Sequence, residues 1–405
     1  MTITIPEDLG FSSTRLQRIS TVMQDFIDQG KLAGTITTVA RRGQVVHLET
    51  LGWMDREAQR PMEPDAIFRI CSMTKPVTAA AMMTLYEEGH FTLNTPVYEF
   101  IPGFKNMKVF VRETATGLEV ENLVRPVTVR HLLTHTAGFS YGGNPDDPVD
   151  RCYRPLKEDE TSKDLVEMLL RVPLAFQPGT RFLYGLSTGL LGCLIEIISG
   201  RPLDVFLQER IFDPLGMPDT GFFVPAAKAD RLTAVYGHPD DGTRLRLVEA
   251  PATSPHLKKP AFPNGGGGLL STAGDYGKFL QMLLDGGRLD GERILSPTTV
   301  ELFSINQAPK EALPFNIAGD EDLFHRGYGF SLATRVLMDV GESGQAGSVG
   351  EFGWDGALCT HCWVDPKKEL YGLLMTQHDP FNYYPLAVKF KQLTYQAIVE
   401  SSRNS

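Results

Sequence analysis

Ser72-Met-Thr-Lys-Pro-Val-Thr-Ala-Ala-Ala-Met-Met-Thr-Leu-Tyr86 suits a helix, and Lys75 is the only charge between Arg69 and Glu87. A helix that is apolar on nearly every side is a buried one. Pro76 is compatible with a helix beginning near Ser72, because the N–H groups of a first turn lack intrahelical partners anyway. Positions three apart share a face, so Ser72 and Lys75 are expected to point into one cleft. A helix starting at Ser72 also aims backbone N–H groups and its positive dipole end at the serine, which favours an oxyanion. Burial and the helix N-terminus both disfavour an ammonium, so the Lys75 pKa is expected to fall. A neutral lysine beside a serine is a general base. The four-residue pattern also recurs by chance, as a surface serine and a snorkelling lysine, and the lone charge in an apolar helix is what separates this case from that one.

Outward from this helix the chain is β-like at both ends. Ser13 to Gln29 places Leu16, Ile19, Val22, Met23, Phe26 and Ile27 at helical spacing, and Gly30 supplies a stop. Two strand-like runs follow, Thr35 to Ala40 and Gln44 to Leu51, joined at Arg42-Gly43. Helical patterns and loops fill the middle, including Ser162 to Leu170 and Thr188 to Ile198, the latter closed by Gly200. Further helices run through Lys278 to Leu284 and Thr298 to Phe303. Ala357 to Val364, an Asp365-Pro-Lys-Lys turn and Leu370 to Thr376 read as a hairpin, and Leu386 to Ile398 closes the chain as a helix. The expected class is α+β: an antiparallel sheet built from both ends, flanked by terminal helices. Residues 1–95 and 250–405 would form a discontinuous α/β lobe, and residues 96–249 an inserted, mainly helical one, the two together making one catalytic unit.

The 405 residues exceed the usual size of one compact core, which agrees with two lobes. The net charge of −10, with no basic tract, argues against nucleic acid and anionic membrane surfaces as partners. The first residues lack a positive start and an apolar core, and no run is long enough to span a bilayer, so a cytoplasmic location is expected. Five cysteines without a small-scaffold spacing give no reason to expect disulfides.

Other residues able to carry chemistry are scattered. Tyr184 precedes an apolar helix, where it is either a packed tyrosine or a phenol relaying protons between Ser72, Lys75 and a leaving group. Gly353-Trp-Asp-Gly-Ala357 is either an ordinary glycine turn or a close backbone approach to a ligand, with the Ala357 N–H as a second oxyanion donor beside that of Ser72. Gly185-Leu-Ser-Thr-Gly189 fits a nucleophile elbow, but Ser187 equally suits an N-cap, and no His-Gly-Gly segment or βα alternation supports the elbow. Cys359-Thr-His-Cys362 lacks a second ligand pair, His131 and His135 lack an intervening Glu, and Gly265 to Gly268 lacks the Lys-Ser/Thr of a phosphate loop. No metal or cofactor is therefore expected, and the glycine run reads as a tight turn near the site.

Together these pieces resemble a known family. Ser72-Met-Thr-Lys75, His131-Leu-Leu-Thr-His-Thr-Ala-Gly138, Pro178-Gly179, Tyr184, Gly265-Gly-Gly-Gly-Leu269 with Ser271-Thr272, and Gly353-Trp-Asp-Gly356 occur in the order seen in class C β-lactamases. Their relatives include DD-peptidases, the β-lactamase-like carboxylesterases of family VIII, and acyltransferases of the type that acylates statin precursors. The likeness runs from about Phe11 to Ala397. It implies a β-lactamase/transpeptidase-like fold with the site between sheet and helical lobe. β-Lactamases and DD-peptidases usually carry Tyr-x-Asn and Lys-Thr-Gly; here Leu186 and Trp354-Asp355-Gly356 stand at those places. Leu186 cannot hold a substrate amide, and the loss of the lysine removes a cation that binds a substrate carboxylate. Asp355 would repel such a carboxylate unless its side chain points away. These departures look like the carboxylesterase branch, in which Tyr141 falls where an aromatic pocket residue is found. The resemblance thus implies hydrolysis of short-chain, small-molecule esters through an acyl-enzyme on Ser72. Lys75 and Tyr184 move the proton, and Tyr141, Leu186, Trp354, Asp355 and Gly356 line the substrate site. An acyltransferase using the same acyl-enzyme and a weak activity on cephalosporins are the alternatives. A non-catalytic scaffold is disfavoured by the intact Ser72, Lys75 and Tyr184.

Overall fold

The computed structural model describes residues 3–238, 244–317 and 326–400. Three strands near the N-terminus, β1 (Gly34–Arg41), β2 (Gln44–Asp55) and β3 (Arg60–Pro61), join five later ones. These are β4 (Tyr328–Phe330), β5 (Arg335–Leu337), β6 (Phe352–Asp355), β7 (His361–Asp365) and β8 (Leu370–Met375). The order across the eight-stranded sheet is β4-β5-β6-β7-β8-β1-β2-β3. The two ends of the chain meet where β1 pairs antiparallel with β8, Ile36 opposite Met375 and Arg41 opposite Leu370.

Side chains alternate across a strand, and the alternation sorts the sheet into two faces. On the outer face Val39, Trp363, Leu370 and Leu374 pack with helices α1 (Ser13–Asp28) and α5 (Leu386–Gln396). Helix α1 turns Leu16, Ile19 and Met23 inward, and the Ser12 side chain caps it by accepting the Arg15 N–H. On the inner face Ile36, Cys362, Val364, Tyr371, Leu373 and Met375 join the main core with Phe279 and Leu280 of α4 (Ala273–Leu284). Helix α2 (Thr74–Glu87) belongs to the same core and packs against α3 (Ser187–Ser199). Every residue of α2 from Thr74 to Leu85 is buried, as its uniform apolarity demands.

Four elements differ from the sequence-based expectation. The α-helix starts at Thr74, and Ser72 sits in a preceding 3-10 turn, Cys71–Met73, entered through a positive φ of 46° at Cys71. The run Ala357 to Thr360, expected to open a strand, is a turn: the Gly356 N–H donates to the Thr360 carbonyl (2.8 Å) and Cys359 takes φ 65°. The strand lies before it, in β6, where glycines at 353 and 356 suggested a turn. Segment 96–249 contains helices but also an antiparallel hairpin, Lys108–Thr114 with Gly117–Asn122, and strands at Val235–Gly237 and Arg246–Glu249. Among the described residues, no helix is long and apolar enough to cross a membrane.

Candidate active site

The site is assembled on the first turn of α2. Lys75 is wholly buried, and its Nζ lies 3.0 Å from Ser72 Oγ and donates to the Gly266 carbonyl at 2.5 Å. Burial lowers its pKa to about 7, the nearby Cys71 thiol acting in the other direction. A neutral amine that spends one N–H on Gly266 can turn its lone pair to the serine hydroxyl. The glycine-rich run is the turn that supplies this carbonyl, and α2 grips it at three points. Thr78 Oγ1 donates to the Gly265 carbonyl (2.7 Å), Lys75 to Gly266, and Thr74 Oγ1 accepts the Leu269 N–H (3.1 Å).

Tyr184 arrives on the segment that leads into α3. His135 clamps that segment: its carbonyl accepts the Leu183 N–H (2.8 Å) and its Nδ1 accepts the Gly185 N–H (3.3 Å). The ring proton therefore belongs on Nε2, which lies 3.2 Å from Thr188 Oγ1. Burial, with Lys75 adding to it, holds the His135 pKa well below the usual histidine range. Gly185 is required by close approach, since a Cβ there would lie 2.1 Å from the Phe139 carbonyl oxygen. The clamp brings the Tyr184 ring centroid to 4.7 Å from Lys75 Nζ. The phenol lies beside the Ser72 hydroxyl and accepts the Trp354 indole N–H at 3.0 Å. Burial, then the neighbouring Tyr141, pushes the Tyr184 pKa well above its ordinary value, so the phenol stays protonated and is a donor.

The remaining residues fall into two groups. Tyr141, 44% exposed, stands at the rim with its ring 5.5 Å from that of Tyr184 and 5.6 Å from Lys75 Nζ. Trp354 is buried on the inner face of β6, and its indole N–H is committed to Tyr184. Gly356 presses the following turn against the chain just before Ser72, where a Cβ would meet the Ile70 carbonyl oxygen at 2.5 Å. Ala357 is exposed on that turn, with its N–H near the Cys71 thiol. Leu186 is half-buried against the main core at the start of α3.

Asp355 does not line the site, which corrects the sequence-based expectation. It follows the inward-facing Trp354 by one residue, so its side chain lies on the outer face, bonded to Arg335 and His361. Both partners outweigh the effect of burial and hold its carboxyl well below the usual range. Ser187 is not an N-cap either: it is the first residue inside α3, buried, with no hydrogen-bond partner on its Oγ, and Leu186 occupies the cap. His131 caps the short helix Val129–Leu133, its Nδ1 accepting the Thr128 N–H (3.2 Å). Cys359, His361 and Cys362 occupy the turn, the outer face and the inner face. His135 and the Gly266 carbonyl were missed as site components. The first lies in the run His131 to Gly138, weighed for metal spacing and as part of the resemblance but with no role at the site, and the second is a backbone atom with no side-chain signal.

An SxxK serine in the turn that leads into a buried helix, before an antiparallel sheet built from both chain ends, defines a serine hydrolase of the β-lactamase/transpeptidase-like fold. The Beta-lactamase family profile matches residues 19–391, and the chain belongs to that family. It is 36% identical over 364 residues to Protein Rv1367c of Mycobacterium tuberculosis, covering 88% of this chain and 89% of that protein. It is 30% identical over 378 residues to Esterase EstB of Burkholderia gladioli, covering 89% of each. Among solved structures, EstCE1, described as a hydrolase with promiscuous acyltransferase activity, superposes with a TM-score of 0.79 at 24% identity, over 96% of this chain and 99% of that one.

Proposed function

We propose that the protein is a carboxylesterase that cleaves small, uncharged acyl esters through an acyl-enzyme on Ser72. The observation that carries this reading is the buried Lys75 amine, with its pKa near 7, 3.0 Å from Ser72 Oγ. Lys75 takes the hydroxyl proton as Ser72 attacks the ester carbonyl. The N–H groups of Ser72 and Ala357 receive the oxyanion. Tyr184, kept protonated, passes its proton to the departing alkoxide and regains one through Lys75. Water repeats the sequence on the acyl-enzyme and releases the acid.

The ester preference rests on what faces the serine. Trp354 offers a ring and no free indole donor, Asp355 and Arg335 face the other side of the sheet, and Lys75, its pKa lowered to about 7 by burial, is no permanent cation. A substrate carboxylate therefore meets no fixed cation among these groups, which disfavours β-lactams and D-alanyl peptides. The similarity to Esterase EstB supports the same reading. Transfer to an alcohol is the second reading, favoured by the aromatic wall of Tyr141, Tyr184 and Trp354, which lets an organic acceptor compete with water.

Intact mass after incubation with p-nitrophenyl butyrate should report one butyryl group, mapped to the Ser72 peptide. Ser72→Ala should lower turnover by at least about 1,000-fold; full hydrolysis by that variant would sink the proposal. Added alcohols, with ester and free acid quantified, separate transfer from hydrolysis.

A further inference from the structure

Asp355 is the last residue of β6 and His361 the first of β7, and they are direct cross-strand partners. The five residues between them form the turn that carries the Ala357 N–H. On the outer face His361 Nδ1 hydrogen-bonds one Asp355 oxygen, and Arg335, from β5, donates Nη1 to the other and Nη2 to the first at 3.3 Å. The three side chains are 4%, 22% and 13% exposed for His361, Asp355 and Arg335. This clasp spans the neck of the turn. Buried charges of this kind rarely add stability over well-packed apolar residues, so a gain in geometry is the better account of them.

We infer that Asp355, held by Arg335 and His361, is a positioning residue that fixes the turn 356–360 and thereby the oxyanion donor on Ala357. The inference rests on the oxyanion assignment proposed above. On the inner side the same turn meets the chain before Ser72, where Thr360 Oγ1 donates to the Ile70 carbonyl at 3.4 Å and Gly356 abuts that same carbonyl, and further along the Leu358 carbonyl accepts the His378 N–H at 3.1 Å. The outer clasp adds charge-assisted hydrogen bonds that tie both strand ends of the turn together, a constraint on where the Ala357 N–H points that these neutral contacts do not supply. An oxyanion donor displaced by an ångström loses most of its value, because its geometry is realised in the transition state.

The test uses Asp355→Asn, and a second pair, His361→Asn and His361→Leu, in case the first does not fold. Folding is checked by circular dichroism, activity with p-nitrophenyl butyrate, and the oxyanion site with phenylboronic acid, which adds to Ser72 as a tetrahedral anion. Asp355→Asn and His361→Leu should lose roughly 10- to 100-fold in kcat at little change in KM. Their boronate affinity should weaken by a similar factor, while the pH midpoint set by Lys75 stays in place. His361→Asn, whose amide N–H can replace that of Nδ1, should stay within about threefold of the parent. Folded Asp355→Asn or His361→Leu protein with unchanged boronate affinity, whatever its kcat, overturns the inference. Failure of the parent protein to bind phenylboronate at Ser72 would instead remove the oxyanion assignment beneath it.

Discussion

Lys75 trades hydration for a carbonyl, a hydroxyl and two aromatic faces, and the trade sets a pH dependence. Only the neutral amine accepts the Ser72 proton, and its neutral fraction rises through about pH 7. The value of kcat/KM should therefore climb about tenfold per pH unit below that point and level off above it. Tyr184 gives no descending limb near neutrality, because its phenol is held well above its ordinary range. Initial rates with p-nitrophenyl butyrate between pH 5 and 9 check this, and a flat profile would contradict the assignment of Lys75 as base. The same amine affects stability. Its folded pKa lies below the unfolded one, so the unfolded chain binds the extra proton between about pH 7 and 10.5, and stability rises with pH across that window. Lys75→Met should abolish turnover yet raise the melting temperature by a few degrees at pH 6, with the gain fading by pH 10; calorimetry at the two pH values decides it.

At the level of elements, the legible parts were those with a long period. Helices α1 and α3 and the β1–β2 pair were readable because Leu16, Ile19 and Met23, or Gly200, or the Arg42-Gly43 turn, mark face and ends. Strands β4 and β5 span three residues each, too short for alternation to register. Cys359 adopts a left-handed backbone that no glycine announces, so the sequence pattern of its turn reads as strand. Among site residues, Ser72, Lys75 and Tyr184 were visible because their chemistry is local. The orientation of Asp355 was not, since it depends on whether Trp354 faces in or out, and one register step reverses that. The segment bearing Tyr184 gives this scale its own test. Gly185→Ala forces a methyl onto the Phe139 carbonyl, so it should destabilise the fold by about 1–3 kcal/mol and lower kcat at least tenfold by moving the phenol. A variant with parental melting and parental kcat would mean that the segment is looser than His135 leaves it.

For the molecule as a whole, the sheet divides the charges by task. The outer face carries ionic groups as structure, with Arg335, Asp355 and His361 on strands β5 to β7, and the buried pair of Lys391 on α5 with Glu351, just before β6, beside Tyr395. On the inner side, the cation described beside Ser72 is Lys75 of α2, and burial lowers its pKa to about 7. The two halves are joined by β6, whose alternate residues serve one side each: Trp354 reaches Tyr184, and Asp355 reaches Arg335. Helix α2 adds a last consequence. Being wrapped on every side, it has no face along which it can peel away while its surroundings stay intact. Its amide hydrogens should exchange with deuterated solvent only through complete opening of the protein, so the nucleophile and its base stay in register until the entire fold is lost.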